Sequence, residues 1–281
     1  MSATWRSGDE PPAAGPVTLA GWGRVLCRGL PLGIVVFGCL GLLLLIRLIE
    51  GPLFGLRRPL TPWITRFVCI TAFVLMGIRR SVRGRAMGHR GAFVANHSSW
   101  LDIFALNASS RLYFVSKAEV AGWPGIGWLA RATGTVFIRR DRREAHAQTG
   151  EFVRRLEAGQ KLLFFPEGTS TDGRQVLPFK TTLFQAFLSP ELKDILQIQP
   201  VTVVYTAPAG ADPRFYGWWG DMDFASHLLK VLAAPRQGSV EVIYHTPLSV
   251  AQAGDRKALA AACEAAVRSG LTENAGLPPA V

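Results

Sequence analysis

The uncharged run from Leu30 to Ile46 constrains this chain before any other feature. It contains Ile34, Val35, Val36 and Phe37, then the block Leu42-Leu43-Leu44-Leu45, with Arg24 and Arg28 before it and Arg47 after it. A stretch this apolar cannot face water along its whole length. Its span is at the lower limit of the roughly 20 residues that cross a bilayer as a helix. Arg47, Glu50, Arg57 and Arg58 follow in place of a small-residue cleavage site, so the run reads as a retained anchor rather than a signal peptide. A shorter apolar run, Phe67 to Ile78, opens after Pro62 and Arg66 and closes at Arg79 and Arg80. Residues 21–81 therefore read as a hydrophobic helical hairpin that docks on the membrane or spans it. Composition agrees, since 49% of residues are apolar and only 18% charged, which is rich in apolar residues for a purely soluble protein.

The formal net charge of +11 favours anionic partners. Arginines cluster beside the apolar runs and no nucleic-acid motif is present, so the partner is a membrane lipid surface and not nucleic acid. The group Arg79, Arg80, Arg83 and Arg85 places the following domain on the cytoplasmic face of an inner membrane. Cys27, Cys39, Cys69 and Cys263 match neither a zinc pattern nor a disulfide framework, and read as free thiols of a domain facing a reducing compartment. Residues 1–20 and 271–281 read as tails.

From residue 82 to 270 short apolar strands alternate with amphipathic helices. The candidate strands are Ala92–Asn96, Leu112–Ser116, Thr135–Arg139, Lys161–Phe165, Ile198–Tyr205 and Ser239–His245. The candidate helices are Leu101–Ala108, Arg143–Glu157, Thr181–Leu188, Met222–Leu232 and Ala251–Ser269. The pattern is that of an α/β domain, a mixed sheet flanked by helices.

Two polar motifs end predicted strands. Asn96-His97-Ser98-Ser99-Trp100-Leu101-Asp102 follows the first. On one helix, five steps of about 100° would set His97 and Asp102 some 140° apart. They meet only if His97 lies in a turn and Asp102 in the first turn of the next helix, with Ser98 and Ser99 as N-cap residues. Ser99-x-x-Asp102 also fits a capping box, which gives Asp102 a structural reading beside the catalytic one. Pro166-Glu167-Gly168-Thr169-Ser170 ends the strand at Lys161–Phe165, where ligands of α/β sheets collect. Arg139, Arg140 and Lys180 are candidate anion ligands, because a guanidinium fork suits phosphate oxygens; solvated surface is the alternative for each.

Taken together these residues resemble the glycerolipid acyltransferase family that includes the 1-acylglycerol-3-phosphate acyltransferases. Asn96, His97 and Asp102 match its Asn-His-x4-Asp motif. Phe137, Ile138 and Arg140 match the second motif, Phe165 to Thr169 the third, and Ile198, Pro200 and Val201 the fourth. The resemblance covers roughly residues 82–205. It implies transfer of a fatty acyl group from acyl-carrier protein or acyl-CoA to the hydroxyl of a lysophospholipid, with no metal and no other cofactor. His97 would be the general base and Asp102 its orienting acid, while Arg139, Arg140, Glu167, Gly168, Thr169 and Lys180 would bind substrate. Lysophosphatidate is the first acceptor and lyso-ornithine lipid the alternative. Ser170 departs from the family, which has Arg there, and removes a cation from the headgroup site. The segment Phe215 to Asp223 resembles a bacterial branch some of whose members acylate lyso-ornithine lipid. It reads either as an aromatic interface patch or as an acceptor-selecting loop in which Asp221 and Asp223 meet an ammonium. A hydrolase using Ser98 or Ser99 lacks the Gly-x-Ser-x-Gly elbow, and an inert lipid-binding protein would not be expected to keep His97, Asp102 and Glu167 intact.

Overall fold

The structure is a computed structural model that describes residues 5, 6, 8, 10, 11, 15–89, 91–123, 125–138, 145–190, 192–194 and 196–275. Arg139 and Arg140 lie outside the described residues.

Two helices lead the chain. Helix α1 (Leu19–Phe54) starts where the Thr18 side chain accepts from the Gly21 N–H at 3.1 Å. It absorbs the whole uncharged run and continues through Arg47 and Glu50. Helix α2 (Thr61–Met76) carries Pro62 in its first turn and stops at Gly77, whose φ of 77° closes the end. Among the described residues α1 is the one helix long and apolar enough to cross a membrane. Its Leu26, Leu30, Ile34, Leu45 and Leu48 are exposed.

The sheet holds β1 (Arg79–Arg83), β2 (Gly91–Ala95), β3 (Tyr113–Lys117), β4 (Val136–Ile138), β5 (Leu162–Phe164), β6 (Gln197–Thr206), β7 (Ser239–Tyr244) and β8 (Leu248–Ser249). Its order is β1-β7-β6-β2-β5-β3-β4, with β8 also on β6. Strands β2 to β6 pair in parallel, while β6 runs antiparallel to β7 and β8. The mixed α/β sheet is the one the alternating pattern predicts.

Period-two alternation sends side chains of one strand to two faces. Ala92, Val94, Leu162, Phe164 and Ile198 meet α5 (Ala145–Glu157), the 3-10 segment Thr181–Leu188 and α7 (Arg256–Ala275). Phe93, Ala95, Leu163, Val201 and Val203 meet α2, α3 (Leu101–Ser109) and α6 (Phe224–Ala233). Phe93 and Leu163 are fully buried, and each such side chain contributes about 2–3 kcal/mol on leaving water. The hairpin is thus welded to the domain through Cys69, Ala72, Phe73 and Met76, all on the buried face of α2.

Several elements depart from the sequence reading. Thr181–Leu188 is 3-10 rather than α-helical, and the last helix starts at Arg256, after a separate short turn at Ala251–Ala253. Strand β1 and helix α4 (Ile126–Thr133) were not anticipated. Residues 1–20 were read as a tail, yet Trp5 and Arg6 contact the domain and α1 already begins at Leu19.

Candidate active site

Pairing of β2 with β6 stops at Ala95 opposite Val201. The Asn96 side chain continues it one step: Nδ2 donates to the Val203 carbonyl at 2.9 Å and Oδ1 accepts from the Val203 N–H at 2.8 Å. The chain then leaves the sheet as a turn bearing His97. Three backbone ties shape that turn. The His97 N–H donates to Glu167 Oε1 at 2.7 Å, the Thr171 N–H donates to the His97 carbonyl at 2.9 Å, and the Trp218 N–H donates to the Ser98 carbonyl at 2.8 Å.

Asp102 sits in the first turn of α3 and is fully buried. Its Oδ2 lies 2.7 Å from His97 Nδ1 and accepts from the Ser98 and Ser99 N–H groups at 2.8 and 3.0 Å. Its Oδ1 accepts from the Tyr205 hydroxyl at 2.8 Å. One carboxylate therefore both caps the helix start and faces the imidazole. The helix opens after Trp100, whose side chain makes no cap bond, while Ser99 Oγ accepts from the Leu101 N–H at 3.4 Å. With Nδ1 turned to Asp102, Nε2 is the ring nitrogen left for another partner. The His97 ring stacks on Phe165 with centroids 4.1 Å apart and planes 13° apart, and 21% of its side chain is exposed.

Glu167 is buried and holds the turn from the other side, since Oε2 accepts from the Leu177 N–H at 2.7 Å. Burial pushes its carboxyl up to about 8; the two N–H donors pull back and nearby Asp102 adds to the rise. Gly168 adopts φ 72°, which only glycine takes without strain, and its N–H closes a turn on the Phe165 carbonyl at 3.1 Å. Thr169 Oγ1 accepts from the Trp5 N–H at 3.3 Å. The Lys180 N–H donates to the Pro166 carbonyl at 2.9 Å, which keeps Lys180 beside the third motif. His97, Asp102, Glu167, Gly168, Thr169 and Lys180 thus share one end of the sheet.

A family model described as Acyltransferase matches residues 78–205. The lyso-ornithine lipid O-acyltransferase of Rhodobacter capsulatus is 64% identical over 94% of this chain and 96% of its own length. The chain belongs to the acyltransferase family. The 1-acyl-sn-glycerol-3-phosphate acyltransferase of Neisseria gonorrhoeae is 30% identical over 65% of this chain and 70% of its own. The crystal structure of the LPA acyltransferase of Thermotoga maritima has the same fold, with a TM-score of 0.60 at 20% identity, covering 94% of this chain and 97% of that one. This protein is an acyltransferase of the lysophospholipid type.

Two features of this acyltransferase escaped the sequence, and a third was read only in part. Tyr205 is the first, although period two along β6 aligns it with Val201 and Val203 toward α3. Its hydroxyl stays protonated, because burial and the Asp102 charge push it well above the usual phenol range. The second is Trp100, whose Nε1 donates to His227 Nδ1 at 3.0 Å; burial pushes His227 down to about 4, so it remains a neutral acceptor. The third concerns the aromatic loop. Tyr216 and Trp219 are buried, so the loop is not an interface patch as a whole. Asp223 caps α6 by accepting from the Ser226 N–H at 2.7 Å, which explains its presence without a ligand. Asp221 stays exposed and pairs with Arg6 at 2.7 Å.

Proposed function

We propose that this acyltransferase moves a fatty acyl group from an acyl thioester to the free hydroxyl of lyso-ornithine lipid, with 1-acylglycerol-3-phosphate as the second acceptor. The observation that carries the chemistry is the His97–Asp102 contact inside a carboxylate held by four hydrogen bonds. An alcohol is a poor nucleophile at neutral pH. His97 Nε2 takes its proton as the oxygen attacks the thioester carbonyl. Asp102 stabilises the imidazolium so formed. The tetrahedral intermediate collapses, the C–S bond breaks, and the imidazolium returns the proton to the leaving sulfur. The products are the ester and a free thiol. No enzyme acyl intermediate, metal or further cofactor enters this scheme.

Two observations favour ornithine over phosphate. The relative from Rhodobacter capsulatus, at 64% identity, carries the lyso-ornithine lipid name. In the sequence, Ser170 stands where the family it resembles has an arginine, and Asp221 offers an exposed carboxylate that already pairs with one cation, Arg6. Arg139, Arg140, Thr169 and Lys180 remain candidates for the acceptor's carboxylate or phosphate. Acyl-carrier protein and acyl-CoA are both acidic and suit the +11 charge as donors. We place the enzyme in the inner membrane through α1, with the α/β domain on the cytoplasmic side, where Arg79, Arg80, Arg83 and Arg85 follow the hairpin.

The test uses membranes from a host lacking the activity, with labelled acyl thioester and each lysolipid. Ester should form from lyso-ornithine lipid, and His97→Ala should lower the rate about a hundredfold or more. Product persisting at wild-type rate in His97→Ala would sink the general-base assignment. Preference for lysophosphatidate would reverse the acceptor order.

A further inference from the structure

Far from the catalytic turn, the hairpin tip gathers more positive charge than it neutralises. Glu50 is the carboxylate there, and it is consumed. It is buried, Oε1 accepts from the Leu60 and Thr61 N–H groups at 2.6 and 3.1 Å, and Oε2 accepts from the Thr61 hydroxyl at 2.5 Å. Arg47 donates to Thr61 Oγ1 at 3.1 Å and stays 3.6 Å from Glu50. Arg58 carries a buried Nη1 with no hydrogen-bond partner and lies over the Tyr113 ring at 5.9 Å. Arg111 forms no ion pair among the described residues; its guanidinium lies over the Trp63 ring at 4.4 Å. Arg47 alone reaches Glu50, and neither Arg58 nor Arg111 has an ion-pair partner among the described residues. Arg47 and Arg111 meet across a cleft that Thr65, Asn107 and Thr133 also line; the two guanidiniums and the Asn107 amide are donors suited to a phosphate, while both threonine hydroxyls already donate to helix carbonyls.

The surroundings say which phosphate. Trp63 is 50% exposed, Leu53 68% and Leu60 55%, and Phe54 is exposed as well. An indole flanked by arginines beside protruding apolar side chains is the arrangement found at the headgroup level of a bilayer. We propose that this cleft binds the phosphodiester of an anionic glycerophospholipid of the bilayer, with the acyl chains lying along the apolar tip. The site is separate from the acceptor site. His97 precedes α3, whereas Asn107 and Arg111 lie at its far end, and nine residues of helix span about 13 Å. Occupancy fixes the tip of the hairpin at the membrane surface, and α2 packed on α3 carries that restraint toward the catalytic end.

The experiment uses the full chain in neutral detergent micelles. Dihexanoyl phosphatidylglycerol, dihexanoyl phosphatidylcholine and inorganic phosphate are titrated separately while Tm is followed. Wild type should show a saturable rise with the phosphatidylglycerol at about a tenth of the concentration needed for the phosphatidylcholine. Arg111→Gln should raise the phosphatidylglycerol midpoint about tenfold, and Arg111→Lys should restore part of it. Acyl transfer by Arg111→Gln in neutral micelles should match wild type, so failure here is distinct from failure of the His97 assignment. Equal response to both lipids would overturn the proposal, as would an unchanged midpoint in Arg111→Gln. Inorganic phosphate giving the whole rise would assign the cleft to a free anion and overturn the lipid.

Discussion

At the scale of single residues, the site turns on how Asp102 is held. A buried carboxylate needs all its lone pairs engaged, and here the donors are His97, two backbone N–H groups and Tyr205. Tyr205→Phe removes one donor and leaves the ring packed. We expect kcat to fall about tenfold with KM unchanged, and stability to drop by about 1–2 kcal/mol, the cost of an unsatisfied buried acceptor. Steady-state kinetics and thermal melts separate the two effects. Glu167 supplies a pH signature. Its carboxyl is raised to about 8 in the folded protein, above its ordinary value near 4.5. A raised folded pKa contributes stability that is present below about 4.5 and lost as pH rises through about 8. The wild-type Tm should therefore fall between those limits, and Glu167→Gln should flatten that part of the profile. A parallel fall in the variant would assign the effect elsewhere. His97 and Asp102 were legible in the sequence because five residues of separation allow one geometry, turn then helix. Tyr205 was not, because its partner lies 103 residues away.

At the scale of elements, legibility followed apolar pattern. Strands β2, β5 and β6 are buried along most of their length and read as apolar runs. Strand β1 is Arg-Arg-Ser-Val-Arg, exposed at most positions, and among the described residues pairs only with β7. An edge strand blunted by arginines carries no apolar alternation to read. Helix α4 is eight residues long and includes Gly127, too short for a periodic signal. The hairpin turn was half legible. Arg47 and Glu50 read as the end of the apolar run, yet the helix runs on and makes Glu50 the acceptor for the opening of α2. Glu50→Ala strips three donors of their partner. We expect a loss of about 2–4 kcal/mol, seen as a lower Tm in detergent. Glu50→Gln should recover part of it, because one carbonyl oxygen remains.

At the scale of the molecule, the long apolar helix α1 is tied to the His97 end of the sheet through α6. Arg24 Nε donates to the Ala233 carbonyl at 2.7 Å, and Arg28 Nη1 donates to the Leu232 and Ala234 carbonyls at 2.9 and 2.7 Å. These are the free carbonyls at the C-terminus of α6, where cations are favoured. At its other end α6 holds His227, which takes the Trp100 indole next to Ser99. A path of hydrogen bonds therefore runs from α1 through α6 to Trp100, three residues after His97. Composition foretold a long apolar helix and a domain, but not this joint, since cations on helix-end carbonyls leave no mark in local sequence. Under the proposed function, the joint would set how a lysolipid from the bilayer reaches the His97 turn. Replacing Arg24 and Arg28 together by Ala should leave turnover of a short-chain, water-soluble lysolipid close to wild type. Turnover of a long-chain lysolipid embedded in vesicles should fall several-fold, because delivery and not chemistry is disturbed. Equal loss on both substrates would mean that the arginines support the fold alone, and a melt of the double variant would show it.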